Sequence, residues 1–162
     1  MTARTSSTAV PPAPALSAGR EIVITRVLDA PRERVFEAWT DPEQIGHWWG
    51  PTGFTATIHE MDVRPGGIWR FIMHGPDGVD WPNRVDYLEV VRPDRLVYDH
   101  GNGGEPQFHV TVTFADEGGR TRLTMRSVFP TAAAREYVVR EVKAIEGGNQ
   151  TVDRLAQYLA QS

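Results

Sequence analysis

Five histidines and no cysteine among 162 residues leave this chain few groups able to move protons or bind metal. Without cysteine there is no disulfide, no thiolate nucleophile and no Cys-ligated zinc or iron–sulfur centre. His47, His59, His74, His100 and His109 fall on different expected elements, and no two have the i, i+2 or i, i+4 spacing of paired ligands, so no metal site is expected. No Gly-rich phosphate loop, Gly-x-Ser-x-Gly elbow or His-Glu-x-x-His pair occurs, and no cofactor is expected. His100 is the one histidine assigned to an inward face. With Tyr98 two residues earlier, it is the candidate for proton transfer inside the protein. Its competing reading is a rim histidine reaching solvent beside the Gly101-Asn102-Gly103-Gly104 turn. Asp86 and Glu89 carry the same ambiguity, because carboxylates are almost never fully buried unless paired.

The other conspicuous group is Trp48-Trp49, held between Asp41-Pro42 and Gly50-Pro51 in a stretch that runs on to Phe54. Helix-stopping and turn residues on both sides deny the pair a place in a long regular element. Two bulky rings on irregular backbone need cover. Either they plug a helix–sheet corner, or they line the mouth of a ligand cavity.

The elements that must position these residues follow from periodicity. Glu21–Leu28 is rich in β-branched residues and reads as a first strand. Asp29-Ala30-Pro31 starts a short helix, with Asp29 its candidate cap and Val35, Phe36 and Trp39 its apolar face, and a second helical turn through Ile45 leads into the Trp pair. After Phe54, turn clusters such as Pro65-Gly66-Gly67 and Gly75-Pro76-Asp77-Gly78 recur at roughly ten- to sixteen-residue intervals, the spacing of six successive antiparallel strands. Alternation puts Trp69, Phe71 and Met73 on the inner face, then Leu96, Tyr98 and His100, then Phe108, Val110, Val112 and Phe114, then Leu123, Met125, Ser127 and Phe129. Between Trp81 and Val91 both faces mix polar and apolar residues, and the register stays open. From Thr131 the period becomes helical, with Val138, Val142 and Ile145 on one stripe and Val152, Leu155 and Leu159 on another. Gly147-Gly148 lies between them and would cost about 2 kcal/mol relative to alanines inside a helix. Either the helix breaks there, or the backbone of Gly148 faces the interior because a side chain would occupy needed space.

These elements make an α+β domain in which a seven-stranded antiparallel sheet wraps a long C-terminal helix, with two short helices between strands 1 and 2. A single helix covers only part of a twisted sheet, so a space lined by Trp69, Phe71, Met73, Tyr98, Phe108, Met125 and Phe129 is expected between them. With 40% hydrophobic and 23% charged residues the chain has the make-up of one globular domain. A net charge of −4 with no basic run makes nucleic acid an unexpected partner, and no stretch approaches the length of a membrane span. Residues 1–19, Ser/Thr-rich and then Pro-rich, are expected to be a disordered tail outside the domain at 20–162, and not a secretory signal. The default location is then the cytoplasm.

The chain from Glu21 onward resembles the helix-grip proteins of the START-like, or SRPBCC, superfamily. Within it, the chain is similar to the family named for the activator of the ninety-kilodalton heat-shock chaperone's ATPase. The resemblance rests on Ala30-Pro31-Arg32-Glu33-Arg34-Val35-Phe36 with Thr40-Asp41-Pro42; His47-Trp48-Trp49-Gly50-Pro51; Asp62 with Arg64-Pro65-Gly66-Gly67 and Trp69; Gly75-Pro76-Asp77-Gly78; Arg95-Leu96-Val97; and Glu146-Gly147-Gly148-Asn149-Gln150-Thr151-Val152-Asp153-Arg154-Leu155. It implies a sheet gripping the C-terminal helix around a deep apolar cavity, in a superfamily whose members bind lipids, hormones or polyketides and include cyclases and aromatase-like enzymes. The name-giving activator grips its chaperone with an additional N-terminal domain, and the first 19 residues here offer no such domain, so a chaperone partner is not expected.

Three functions remain: a module binding a small hydrophobic or aromatic molecule, a cyclase- or hydrolase-type enzyme using His100 and Tyr98, and a chaperone-activator-like interaction module. The first is favoured, because the inner face carries many large apolar side chains and few polar ones. Its candidate ligand-binding residues are Trp48, Trp49, Phe54, Trp69, Phe71, Met73, Tyr98, His100, Phe108, Met125, Phe129 and Gly148. Association into a homodimer through a sheet edge is left open by the sequence.

Overall fold

The computed structural model describes residues 19–161, so all but Gly19 of the expected tail lies outside the described residues. Strand β1 (Glu21–Leu28) is followed by helices α1 (Arg32–Thr40) and α2 (Pro42–Ile45). Strands β2 (Thr55–Met61), β3 (Ile68–His74), β4 (Asp80–Val91), β5 (Arg95–Gly101), β6 (Pro106–Glu117) and β7 (Arg120–Val128) come next, and α3 (Ala132–Arg140) and α4 (Ala144–Gln161) complete the order. The seven strands form one sheet in the order β1-β7-β6-β5-β4-β3-β2, with antiparallel neighbours throughout. The α+β grip of a sheet and a C-terminal helix is as the sequence implies.

Two local details differ at the helix starts. Asp29 does not cap α1; its N-cap is Pro31, whose fixed φ of −68° suits that place and which makes no side-chain cap bond. Asp41 caps α2 instead, accepting a hydrogen bond from Glu43 N at 2.9 Å.

Register settles the faces. Residues directly opposite in an antiparallel pair point to the same side. Trp69 faces Val85, Phe71 faces Asn83 and Met73 faces Trp81, so Trp81, Asn83, Val85 and Tyr87 of β4 join the inner set. Between Tyr87 and Glu89 a bulge inserts one residue, after which Val90, opposite Leu96, points inward. The inner sets expected on β3, β5, β6 and β7 are as observed, with Trp69, Phe71, Leu96, Tyr98, Val110, Val112, Phe114 and Leu123 buried.

The C-terminal segment is two helices rather than one. The break falls at Glu141–Lys143, where Lys143 has a left-handed φ of 60°, and α4 runs straight through Gly147 and Gly148. Helix α4 buries Thr151, Val152 and Leu155, the two apolar residues contributing roughly 1.5–3 kcal/mol each. Helix α3 is capped by the Thr131 hydroxyl, which accepts from Ala134 N at 3.0 Å, and buries none of its residues. Val142 and Ile145, expected on a packed stripe, are exposed.

Candidate ligand-binding site

The Trp loop is held from three sides. Trp48 is completely buried and its indole N–H donates to Ala38 O at 3.2 Å, while its ring meets Trp39 edge-on at 5.0 Å. Trp49 meets Trp69 at 5.1 Å and Phe71 at 6.2 Å, so it closes one end of the inner face. From α4, Arg154 Nη1 donates to the carbonyl oxygens of Gly50 at 2.9 Å, Phe54 at 3.0 Å and Pro51 at 3.1 Å. Partial burial lowers the Arg154 pKa from its ordinary value. Gly50 is needed at its turn: its φ is 106°, and a Cβ there would run into the Met73 methyl. The pair is thus a buried plug, and Trp49 is also the end wall of the aromatic face behind it.

From that wall a band of rings crosses the sheet. Trp69 stacks on Phe71 at 4.2 Å, Phe71 lies 6.0 Å from the His100 ring, His100 lies 4.8 Å from Phe108, and Phe108 stacks on Phe129 at 5.1 Å. Cover is uneven along this band. Trp69, Phe71, Met73, Tyr98 and Phe129 are buried, whereas Asn83, His100, Phe108, Met125 and Ser127 are only half-buried although all lie on the inner face. Trp81, at the inner-face end of β4, is 53% exposed. The concave side of the sheet is therefore closed at the α1 end and partly open towards the β3–β4 and β5–β6 turns.

His100 sits where the band opens. Its Nε2 lies 2.7 Å from Asn83 Oδ1, and Asn83 Nδ2 in turn donates to Trp81 O at 2.9 Å, which orients the amide so that its oxygen accepts from the imidazole. Nδ1 then carries the lone pair. Burial among rings drops the His100 pKa to about 4, so the imidazole is neutral at physiological pH. Burial likewise pushes the Tyr87 and Tyr98 phenols well above their usual range. A neutral imidazole beside protonated phenols can accept or share a proton with a guest molecule but supplies no charge.

Two of the sequence-predicted residues stand apart. Phe54 packs beside the β3–β4 turn, its ring 3.4 Å from where a Gly75 Cβ would lie. Gly148 does not look into the aromatic face. An added Cβ would collide with Ile24 Cδ1 of β1, so the glycine allows close approach of helix and edge strand. Of the predicted residues, only Phe54 lines either of two shallow surface grooves among the described residues. One, of about 470 Å³, lies between the Trp loop and α4; the other, of about 330 Å³, lies between β1 and the start of α4.

The sequence reading did not select Asn83, Trp81, Tyr87 or Arg154, nor a chain of polar groups on the opposite face. There the Thr57 hydroxyl lies 2.7 Å from His74 Nε2, and His74 Nδ1 lies 2.7 Å from Asp80 Oδ1. The order of groups is that of a nucleophilic triad, but it lies on the outer, solvent-facing side, where it serves as a cross-strand tie. No group of three or more His, Cys, Asp or Glu able to hold a metal occurs among the described residues. None of their helices is long and apolar enough to cross a membrane.

Comparison with known proteins agrees with this architecture. No curated protein matches the chain. Among solved structures, a protein from Arthrobacter aurescens is 28% identical, covers 89% of this chain and 88% of its own, and superimposes with a TM-score of 0.82. Protein Ms6760 from Mycobacterium smegmatis is 26% identical over 88% of this chain and 92% of its own, with a TM-score of 0.79. Protein NE0264 from Nitrosomonas europaea is 26% identical over 89% and 96%, also with a TM-score of 0.79. Residues 29–160 match the family described as Activator of Hsp90 ATPase homolog 1-like protein, and the chain, with its sheet gripping a C-terminal helix, belongs to that family.

Proposed function

We infer that the protein binds a small hydrophobic or aromatic molecule against the inner face of the sheet. The observation that carries this reading is the uneven cover of that face. A continuous band of rings runs from Trp49 to Phe129, yet Phe108, Met125 and His100 near one end keep access to solvent. Apolar surface left open on a concave face gains free energy when a guest covers it, at about 25 cal/mol per Å². The neutral His100 and Asn83 supply the few polar contacts that would orient the guest. Titration with a naphthalene dye, followed by tryptophan fluorescence, is expected to saturate at one equivalent and to be weakened by Phe108→Ala. A response that is linear in dye, or unchanged in that variant, overturns the reading.

A cyclase- or hydrolase-type reaction in the same place is the second reading, favoured by one feature. His100 is half-buried at the open end of the ring band, and its Nδ1, the ring nitrogen turned away from Asn83, meets no hydrogen-bond partner among the described residues. Turnover abolished by His100→Gln with dye binding retained is the outcome that would choose it over simple binding.

A further inference from the structure

A charge drawn out of water is ordinarily paired with an opposite one. Arginines elsewhere on the molecule follow that rule: Arg26 lies 2.7 Å from Asp153, Arg95 2.9 Å from Glu89 and Arg70 3.0 Å from Glu60. Arg154 does not. It is half-buried, yet its surroundings are backbone: the single nitrogen Nη1 gathers the carbonyl oxygens of the Trp loop, and no carboxylate among the described residues acts on its charge. The remaining edge of the guanidinium plane, Nε and Nη2, bonds nothing among the described residues and is not buried. Arg154 lines the groove of about 470 Å³ between the Trp loop and α4, and this edge is what it presents there. Gln150, Arg154 and Gln157 fall at i, i+4 and i+7 on one stripe of α4 and face the stretch from Thr52 to Thr55 across the groove. Gln150 Oε1 accepts from Thr52 N at 3.2 Å, which leaves the amide nitrogen as a further donor with no partner among the described residues. The acid at the margin, Asp153, is committed to Arg26.

We propose that this groove is a second binding site, separate from the inner face, for a small organic acid whose carboxylate sits on the Nε–Nη2 edge of Arg154. The chemistry of the groove selects that class. A guanidinium edge offers two parallel N–H groups in one plane, which match the two oxygens of a carboxylate. One cation compensates one negative charge, so a phosphate dianion would be left half unmatched. A neutral carbonyl would gain the hydrogen bonds but leave the charge without a partner. The Gln150 amide stands one helical turn from Arg154 on the same stripe and supplies a further N–H to the bound oxygens. The half-buried Phe54 ring, in the facing wall, gives the rest of the acid an apolar surface to lie on. Binding there also completes the Trp loop, because the guanidinium that holds the loop carbonyls on one side would hold the ligand on the other.

The test titrates benzoate, its neutral amide benzamide and inorganic phosphate into the intact protein by calorimetry at constant ionic strength. Benzoate is expected to saturate one site and to bind about tenfold more tightly than benzamide, near the least that a hydrogen bond to a charged group contributes, with phosphate weaker than benzoate. Gln157→Glu brings a carboxylate of the chain's own to the groove three residues along α4 from Arg154. Benzoate binding is expected to be lost in that variant, while the ligand-free protein melts no lower than the parent. Gln150→Leu removes the amide donor and is expected to weaken benzoate severalfold. The naphthalene dye, held on the inner face, is expected to stay bound as benzoate saturates. No saturable binding of benzoate, equal binding of benzoate and benzamide, or benzoate binding that survives Gln157→Glu overturns the site. Tighter binding of phosphate than of benzoate overturns the carboxylate assignment, and displacement of the dye by benzoate overturns the separation of the two sites.

Discussion

On the outer face of the sheet His74 is held between Thr57 and Asp80, and His109 Nδ1 lies 2.9 Å from Asp99. On the inner face, the buried hydroxyls of Tyr87 and Tyr98 lack hydrogen-bond geometry to any partner among the described residues. Need would have placed these partners the other way round. An exposed polar group left alone is served by water, whereas a buried one forfeits about 1–3 kcal/mol. The outer pairs therefore add little, being the kind of surface contact whose median worth is about 0–1 kcal/mol. The inner face keeps an unmet hydrogen-bonding capacity at a real cost in stability, and that is where a function has to be sought.

The contrast can be broken by substitution, with the largest effect on the inner side. Trp48→Ala removes a wholly buried indole that bonds Ala38 O, and urea unfolding is expected to show a loss of about 3–5 kcal/mol. A loss below about 1 kcal/mol would mean that the loop is a loosely seated flap.

His100 gives the next largest effect, and its sign follows from its depressed pKa. The folded protein holds the imidazole neutral down to about pH 4, whereas the unfolded chain takes up a proton near the ordinary value of 6.5. Stability contributed by neutral His100 is therefore intact above about pH 6.5 and is lost as pH falls towards 4, by at most about 3 kcal/mol. Melting curves of His100→Phe against the parent are expected to converge, or to cross in favour of the variant, between pH 7 and pH 4. Parallel curves would show that His100 titrates as it does in water.

Gly148 tests the border between the two sides. Gly148→Ala drives a methyl into Ile24 Cδ1 and is expected to cost about 1–2 kcal/mol, most of it recovered when Ile24→Val removes that atom. Neutrality of the single variant would indicate that Ile24 turns aside without loss. The smallest effect belongs to the outer face: His74→Ala is expected to change stability by no more than about 1 kcal/mol. A larger loss would end the claim that the Thr57–His74–Asp80 tie is a surface contact.

Much of this was readable from residue order, and the exceptions have physical causes. Strands β3, β5, β6 and β7 alternate cleanly, so their inner sets follow from a period of two. In β5 the preference for Leu96, Tyr98 and His100 rested on keeping Asp99 outside, where it pairs with His109. Strand β4 could not be read, because the bulge between Tyr87 and Glu89 shifts the alternation in mid-strand, and Tyr87, Asn83 and Trp81 were hidden with it. The helix joint stayed hidden for the opposite reason. Gly147-Gly148 carries the usual signal of an end but is there to let β1 approach, while the real joint at Lys143 has neither Gly nor Pro to announce it. Arg154 looked like one more solvated charge on an amphipathic helix; only the fold brings the Trp-loop carbonyls to it.

The left-handed joint at Lys143 has a kinetic consequence. Helix α3 buries no residue, whereas α4 is anchored by Thr151, Val152 and Leu155. The two therefore belong to different cooperative units, and amide exchange in α3 is expected to proceed through local opening while α4 waits for the sheet to unfold. Helix α3 begins three residues after Phe129, at the end of the ring band, and Val138 and Val139 rest half-buried against the core. Exchange followed amide by amide would then divide the C-terminal segment at Lys143, with the nine residues of α3 on the fast side and α4 on the slow side.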